Sequence, residues 1–497
     1  MVAVKRDGAD AVATAARETE CGGDAKRLKG GEAQAPSVPR TRVEVRAVVR
    51  ESHNQPVVCV AYNRTAAAAG SGRDVDGEPL GEFENLFATV GSDQATIYDG
   101  RHFGKHVALV VHYAQPRREG SDESCGASLT TCAWLDGRAL EEEHQRHPNG
   151  DALLAVGDED GRILIISVSE AAVTRALPPD PTADGACGHA CAVTHLAAHP
   201  TRPYLLLSLS QRDGIAKLWD VRHERCIATF ALKTGKAGPR SVAWDPSGTW
   251  FASGGSDGAI LRWPVAPSLL APSEGTDALA PARHTESPTP LRLGITGHNK
   301  GKAVDSLHFL GGRGSEPAFL LSKSVDGAIV LSSLTNAAQG GPGDAETAAS
   351  WRIPTKGFGG AEHTCNVDVS RDAQHFAIGS REGEVRVYST GLNLARNAKE
   401  GDAEGEGQGT GQARVKKSAQ ASPVAVLEPY AKWVRSQGRR EGAAAVHCCA
   451  IRGNPMCIGG GEVLSALGDG FLFRHEPRLV APQDAPAESA EADEKKE

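Results

Sequence analysis

One pattern of apolar and polar positions recurs seven times along the chain. Each copy is a small or apolar stretch, an acidic turn, and then an alternating strand. The copies are Phe87–Tyr98 (FATVGSDQATIY), Leu153–Ser167 (LLAVGDEDGRILIIS), Leu205–Trp219 (LLLSLSQRDGIAKLW), Phe251–Trp263 (FASGGSDGAILRW), Phe319–Leu331 (FLLSKSVDGAIVL), Phe376–Tyr388 (FAIGSREGEVRVY) and Val463–Phe473 (VLSALGDGFLF). The turn residues are Asp93, Asp160, Asp213, Asp257, Asp326, Glu382 and Asp469, and six of these seven are followed directly by Gly. An Asp-Gly pair between apolar runs predicts a hairpin, because glycine takes a positive φ without steric cost. After the turns, Ile260 and Arg262 alternate with Leu261 and Trp263, and Val385 and Val387 with Arg386 and Tyr388. That period of two predicts half-buried strands.

A further strand precedes each copy: Val57–Tyr62, Leu129–Trp134, Val193–Ala197, Ser241–Trp244, Asp305–Leu310, Asn366–Val369 and His447–Ile451. A lone hairpin cannot bury its apolar face, whereas units arranged radially bury theirs against their neighbours. The pattern therefore predicts an all-β chain folded as a seven-bladed β-propeller. Gly188-His189 ahead of Trp219-Asp220, and Gly297-His298 opening another copy, match the signature of WD repeats. The residues expected to carry that repeat are His189, Asp213, Trp219, Asp220, Asp257, Trp263, His298 and Asp326.

The acidic turns are spaced irregularly, by 44 to 87 residues, where a blade needs about 40–45. The excess is expected as long loops near 64–84, 115–128, 136–150, 174–187, 266–296, 336–350 and 391–438, with those at 266–296 and 391–438 flexible. Residues 1–40 and 476–497 read as disordered tails, the second acidic, leaving 41–475 for the propeller. Thr41–Arg50 (TRVEVRAVVR) alternates apolar and polar positions before the first blade. It is expected to pair with the last blade and close the ring, removing a sheet edge.

Charge and composition narrow the function classes. A net charge of −8 gives no default affinity for polyanions. Eleven cysteines, an odd number with no CxxC pair, fit a reducing compartment, cytosol or nucleus. No apolar run reaches the roughly 18 residues of a membrane helix, and the charged N-terminus (Lys5, Arg6, Asp7) does not read as a secretory signal.

Three segments carry a resemblance more specific than the repeat: RESHNQPVVCVAYN (Arg50–Asn63) followed by FATVGS, TCAW (Thr131–Trp134) followed by Leu153–Ser167, and Val304–Leu331 with its LSKS tetrapeptide. In HNQP, FATVGS and LSKS the chain resembles the ESC/EED/FIE family, the WD-repeat subunits of Polycomb repressive complexes. The resemblance implies a nuclear, non-catalytic scaffold in a complex that methylates histone H3 and represses transcription. It implies as partners an Enhancer-of-zeste-like SET-domain methyltransferase and other Polycomb subunits. It implies no cofactor, no metal, no membrane and no sequence-specific DNA binding. The histone H3 tail is a further candidate ligand, because many members read trimethyl-lysine through an aromatic cage.

Here the chain departs from the family. The cage positions fall at Val58, Thr130, Cys365 and Asn366, none of them aromatic. A side chain without a π face lacks the quadrupole that attracts a quaternary ammonium, so methyl-lysine reading is expected to be weak or lost. Trp351, Tyr430 and Trp433 lie on expected loops as a remote substitute surface.

Several motifs have ordinary explanations. Gly254-Gly255-Ser256-Asp257-Gly258 matches the nucleophile pattern G-x-S-x-G, but it occupies a repeat hairpin turn, where the pattern requires a strand-to-helix elbow. Cys187, His189, Cys191, His195 and His199 lack the usual spacing of a zinc site. Cys448 and Cys449 should point to opposite faces of one strand. Lys26-Arg27-Leu28-Lys29 and Arg414-Val415-Lys416-Lys417 read first as solvated charge and second as import signals. The Gly405–Gly411 run reads as a linker. The competing function class is another WD-repeat scaffold, such as a ubiquitin-ligase substrate receptor, built on the same fold.

Overall fold

The computed structural model describes residues 40–53, 55–65, 83, 85–100, 107–116, 127–137, 151–178, 188–270, 290–295, 298–311, 318–334, 347–353, 365–381, 383–392, 423–427, 445–453, 461–468 and 470–480. Seven antiparallel sheets of four strands make a seven-bladed β-propeller within the unit Thr41–Val480. Blade one is Cys59–Tyr62, Leu86–Gly91, Gln94–Asp99 and Ala108–Ala114. Blade two is Leu129–Asp136, Ala152–Asp158, Ile163–Ser167 and Ala172–Leu177. Blade three is His195–Ala198, Leu205–Ser210, Ile215–Asp220 and Arg225–Ala231. Blade four is Pro239–Trp244, Trp250–Gly255, Ile260–Pro264 and Leu291–Arg292. Blade five is Val304–Gly311, Ala318–Ser324, Ile329–Leu334 and Thr347–Ile353. Blade six is Asp368–Val369, His375–Gly379, Val385–Ser389 and Ala425–Leu427. Blade seven is Val446–Arg452, Glu462–Leu467 and Phe471–Val480, with the N-terminal strand Arg40–Arg50 on its outside.

Each repeat hairpin forms the middle two strands of a blade, in one register. Phe87 faces Tyr98, Phe251 faces Trp263 and Phe376 faces Tyr388, with ring centroids 5.2, 6.3 and 5.4 Å apart. Each such ring, once buried, contributes about 1.5–3 kcal/mol of apolar transfer. The middle strands are more enclosed than a period of two implies. Leu86–Gly91, Ala152–Asp158, Leu205–Ser210 and Glu462–Leu467 are buried at every position, because a blade covers its neighbour on both faces. Half-burial survives at Ile260–Pro264 and Val385–Ser389.

The glycines after the acidic turns all take positive φ, from 75° at Gly214 to 86° at Gly258. Except at Gly214, they close i to i+3 turns, as in Gly258 N–H to Gly255 O at 3.2 Å, so these are longer turns than a two-residue Asp-Gly hairpin. The aspartate braces the turn from its side chain, since Asp213 Oδ1 accepts the Ile215 N–H and Asp257 Oδ1 the Ala259 N–H, both at 3.0 Å. In blade two the bracing carboxylate is buried Asp158, which accepts the amides of Asp160 and Arg162, and not exposed Asp160. In blade one, Ser92 takes the left-handed conformation at φ 52°. Glu382 and Asp469 lie outside the described residues.

The outer strands correct the loop boundaries. Ala172–Leu177, Leu291–Arg292, Thr347–Ile353 and Ala425–Leu427 all lie partly or wholly in stretches expected as loops, two of them inside 266–296 and 391–438. They have one pairing neighbour and one solvent edge, so little apolar patterning marks them. The last strand also runs to Val480, past the expected boundary at 475, because residues beyond it pair with the N-terminal strand; Arg46 meets Glu476 at 3.3 Å and Arg478 meets Glu44 at 3.4 Å. The tails before residue 40 and after 480, both basic clusters, the Gly405–Gly411 run, Tyr430 and Trp433 lie outside the described residues.

Backbone bonds stitch one blade to the next. Leu129 N–H donates to Ser92 O at 2.6 Å, Val193 N–H to Asp158 O at 3.0 Å, Val446 N–H to Ser380 O at 3.0 Å and Glu51 N–H to Gly470 O at 2.9 Å. The turn of one blade thus fixes the start of the next inner strand.

Candidate functional site

The inner strands begin with a repeating two-residue step. First comes a buried residue: Val57, Leu129, Val193, Pro239, Val304, Cys365 and Val446. Next comes the residue at the mouth of the ring: Val58, Thr130, Thr194, Arg240, Asp305, Asn366 and His447. In blades two, four, five and seven this second residue is skipped by the register with the next strand, as between Leu129 and Thr131. Such a bulge re-aims a side chain. Six of the seven mouth residues, all but His447, line one cavity of about 910 Å³.

Three of the four positions expected to correspond to the cage therefore converge on that cavity. Val58 is exposed there, the Thr130 hydroxyl donates to Gly157 O at 3.0 Å, and Asn366 is exposed. Cys365 does not join them. It sits in the buried belt, fully enclosed, in the place that Val57 holds in blade one. A one-residue change along a strand moves a side chain to the other face, which is why the adjacent pair splits.

The cavity wall mixes polar and apolar groups, Val58, Ala303 and Val325 among the latter. Thr131, Thr194, Gln211 and Ser256 supply hydroxyl and amide groups, and no Phe, Tyr or Trp is among its described lining residues. Arg240 and Lys302 bring positive charge. Asp305 is committed to Lys323 at 2.7 Å, although burial pushes its carboxyl up. Burial also pushes Asp326 up, but bonds from the Ser324 hydroxyl and the Asn299 amide, both at 2.5 Å, outweigh it and hold the carboxyl below its ordinary value. His195, on the same wall, is lowered to about 4 by burial.

The repeat residues build networks inside single blades. In blade three, His189 Nδ1 lies 3.4 Å from Asp213 and Nε2 lies 2.7 Å from Ser208 Oγ, which also accepts the Trp219 N–H at 2.8 Å. The aspartate can only accept, so the imidazole proton belongs on Nδ1. Burial raises the Asp213 carboxyl, yet the His189 bond leaves it lowered. Asp220 is held low in the same way, by His223 at 2.8 Å and by Arg222. In blade four, Trp263 donates to Ser253 Oγ at 2.8 Å. In blade five, His298 lies 2.7 Å from Ser322 and 3.1 Å from Ser324.

Blades three and four match a known family model described as "WD domain, G-beta repeat", over residues 185–220 and 224–263. The chain is a WD-repeat propeller. Its blade one uses different chemistry at the same place. Glu51, from the segment before the inner strand, accepts the hydroxyls of Thr89 at 2.6 Å and Tyr98 at 3.1 Å. Thr89 and Tyr98 hold the register of Ser208 and Trp219, so a carboxylate stands where the repeat has histidine. Nothing in the repeat signature marks Glu51. Its neighbour Gly470, whose carbonyl accepts the Glu51 amide, comes from the far end of the chain.

The remaining motifs of the WD-repeat chain fall as follows. Gly254–Gly258 forms a hairpin turn, with Ser256 Oγ accepting the Gly238 N–H at 3.1 Å. His199 Nε2 lies 2.9 Å from Gly248 O, and its Nδ1 accepts the amides of Thr201 and Arg202. No three His, Cys, Asp or Glu side chains among the described residues are placed to hold a metal. Cys187 and Gly297 lie outside the described residues, and of Trp351 only the backbone, in an outer strand, is described. Cys448 and Cys449 do face opposite ways, toward blades one and six, and both are buried.

WD-repeat propellers are typically non-catalytic platforms, with two ring faces and an outer rim on which other proteins dock.

Proposed function

We propose that this WD-repeat protein is the non-catalytic scaffold subunit of a Polycomb-type histone H3 lysine methyltransferase. It holds an Enhancer-of-zeste-like SET-domain subunit, acts in the nucleus to repress transcription, and reads methyl-lysine weakly or not at all. What supports the reading is the use made of the three short motifs that distinguish the chain from a generic repeat. HNQP and FATVGS meet: a Cβ on Gly91 would lie 2.6 Å from Pro56 O and 2.9 Å from the His53 ring. Only glycine lets that loop close over the hairpin. In LSKS every polar residue is engaged, Ser322 and Ser324 with His298 and Lys323 with Asp305. The motifs by which the chain resembles the ESC/EED/FIE family thus form contacts that shape the ring around the mouth.

Affinity purification of the full chain from its native cells tests the proposal. Recovery of a SET-domain protein in stable, near-stoichiometric amount is the expected result. Recovery of cullin adaptors without it would overturn the proposal in favour of a ubiquitin-ligase receptor.

A further inference from the structure

Two thiols from adjacent blades meet just inside the mouth. Cys59, on the inner strand of blade one, and Cys132, on the inner strand of blade two, have sulfur atoms 3.5 Å apart although 73 residues separate them in the chain. Cys59 is half-buried and lines the cavity, one residue beyond Val58. Cys132 lies behind it, 7% exposed. The Cys132 S–H is directed at Cys59 Sγ, and that bond outweighs burial to hold the Cys59 thiol below its ordinary range while Cys132 is pushed up.

Among the described residues, the other buried cysteines lack this combination. Cys448 is pushed up by burial and donates to Val57 O at 3.4 Å. Cys449 is pushed up by its contact with Cys365 and by burial, and neither of those two lines the cavity. Cys226 donates to Ala228 O at 3.4 Å. A reactive cysteine needs both thiolate character and access, and among these only Cys59 has both, with a second thiol in contact.

We infer that Cys59 and Cys132 form a dithiol that responds to hydroperoxides, with Cys59 attacking and Cys132 resolving. The Cys59 thiolate attacks one peroxide oxygen; the S–O bond forms, the O–O bond breaks, and the departing oxygen takes a proton and leaves as alcohol or water. Cys59 is then a sulfenic acid. Cys132 gives up its proton and attacks Cys59 sulfur; the S–S bond forms, the S–O bond breaks, and the hydroxide takes that proton to leave as water. Two thiols are oxidised by two electrons in total, and one O–O bond is reduced. Closing the gap from 3.5 Å to the about 2.05 Å of a disulfide would require the two side chains, and the strands that carry them, to move together. The bond would staple blade one to blade two directly below Val58 and Thr130, tying the shape of the mouth to the oxidation state of the cell.

The test uses the full chain, reduced, then exposed to an equimolar amount of hydrogen peroxide, alkylated, and mapped by mass spectrometry. The expected main product is a Cys59–Cys132 linked peptide that disappears on reduction, with a melting temperature that rises on oxidation and falls back with reductant. Cys132→Ser should abolish the link and leave a sulfenic acid at Cys59 that dimedone captures, whereas Cys365→Ser should leave the link intact. Oxidation that begins at Cys365 or Cys449, a Cys59 bond to any other cysteine, or a pair still reduced under these conditions would each overturn the inference. The wild-type map decides the matter even if Cys132→Ser does not fold.

Discussion

The Glu51 carboxylate accepts the Tyr98 hydroxyl at 3.1 Å, and with it the Thr89 hydroxyl at 2.6 Å, in the interior of blade one. Glu51 is only 3% exposed, and burial of the phenol next to this carboxylate raises the ionisation of Tyr98 far above its ordinary value, so it stays a donor. Glu51→Ala would take an acceptor from three buried hydroxyls, those of Thr89, Tyr98 and, at 3.4 Å, Thr96. The expected loss is about 2–4 kcal/mol in urea unfolding. Glu51→Gln, which keeps one acceptor oxygen, should lose less. Equal stability of wild type and Glu51→Ala would show that the network carries no weight.

Closure of the ring by the chain's two ends makes a second prediction. Arg40–Arg50 covers the outer edge of Phe471–Val480, with Ala47 buried against the blade. The two ion pairs described across the junction have exposed arginines and partly exposed glutamates, and contribute little. Removing residues 40–50 strips the backbone pairing of one edge, and the melting temperature should fall by at least about 5 °C. A truncated protein that melts with the wild type would argue against closure as a source of stability.

Acid should unfold the protein through its histidines. Burial lowers His195, His199 and His298 to about 4 and His475 to about 3, against 6.5 for an unburied imidazole. Between pH 6.5 and those values the unfolded chain binds protons that the folded chain refuses. Stability is therefore full above pH 6.5 and falls as pH falls, by at most about 1.4 kcal/mol per pH unit for each imidazole. Carboxyls raised by burial at Asp158, Asp305 and Glu462 act the other way, each gaining its proton in the folded chain before the unfolded one. Urea midpoints should be flat from pH 7 to 8 and clearly lower at pH 5, and His475→Asn should reduce the slope. A midpoint unchanged at pH 5 would contradict this account.

The mouth residues predict a negative binding result and a way to reverse it. Val58, Thr130 and Asn366 face the cavity without a π surface. A histone H3 peptide carrying trimethyl-lysine should show no saturable binding at high micromolar protein. Placing rings at these three positions, Val58→Phe, Thr130→Tyr and Asn366→Tyr together, should produce measurable binding, each ring adding about 0.5–2 kcal/mol. A tight isotherm with the unaltered protein would refute the prediction.

The propeller was legible in the sequence because the information for its blades is local. An apolar run, an acidic turn, a glycine free to take positive φ and a second apolar run occupy about a dozen residues, and each copy repeats the same physics. The N-terminal strand could be assigned to the last blade because an open ring leaves an edge that something must cover. The outer strands Leu291–Arg292 and Ala425–Leu427 were not legible. They are two and three residues long, and their pairing is decided by the strand beside them rather than by their own pattern.

What the tertiary structure alone decided is which distant groups meet. Local composition could place Val58, Thr130 and Asn366 near the start of inner strands, but only the arrangement of the blades around the ring turned them toward one cavity and left Cys365 buried outside it. Glu51 became the centre of a blade because the last turn of the ring, at Gly470, holds its amide. Cys59 and Cys132 touch because two blades that are separate in sequence must share an interface to exclude water. Hairpins follow from nearest neighbours along the chain, whereas contacts between blades follow from the requirement that seven of them close one circle.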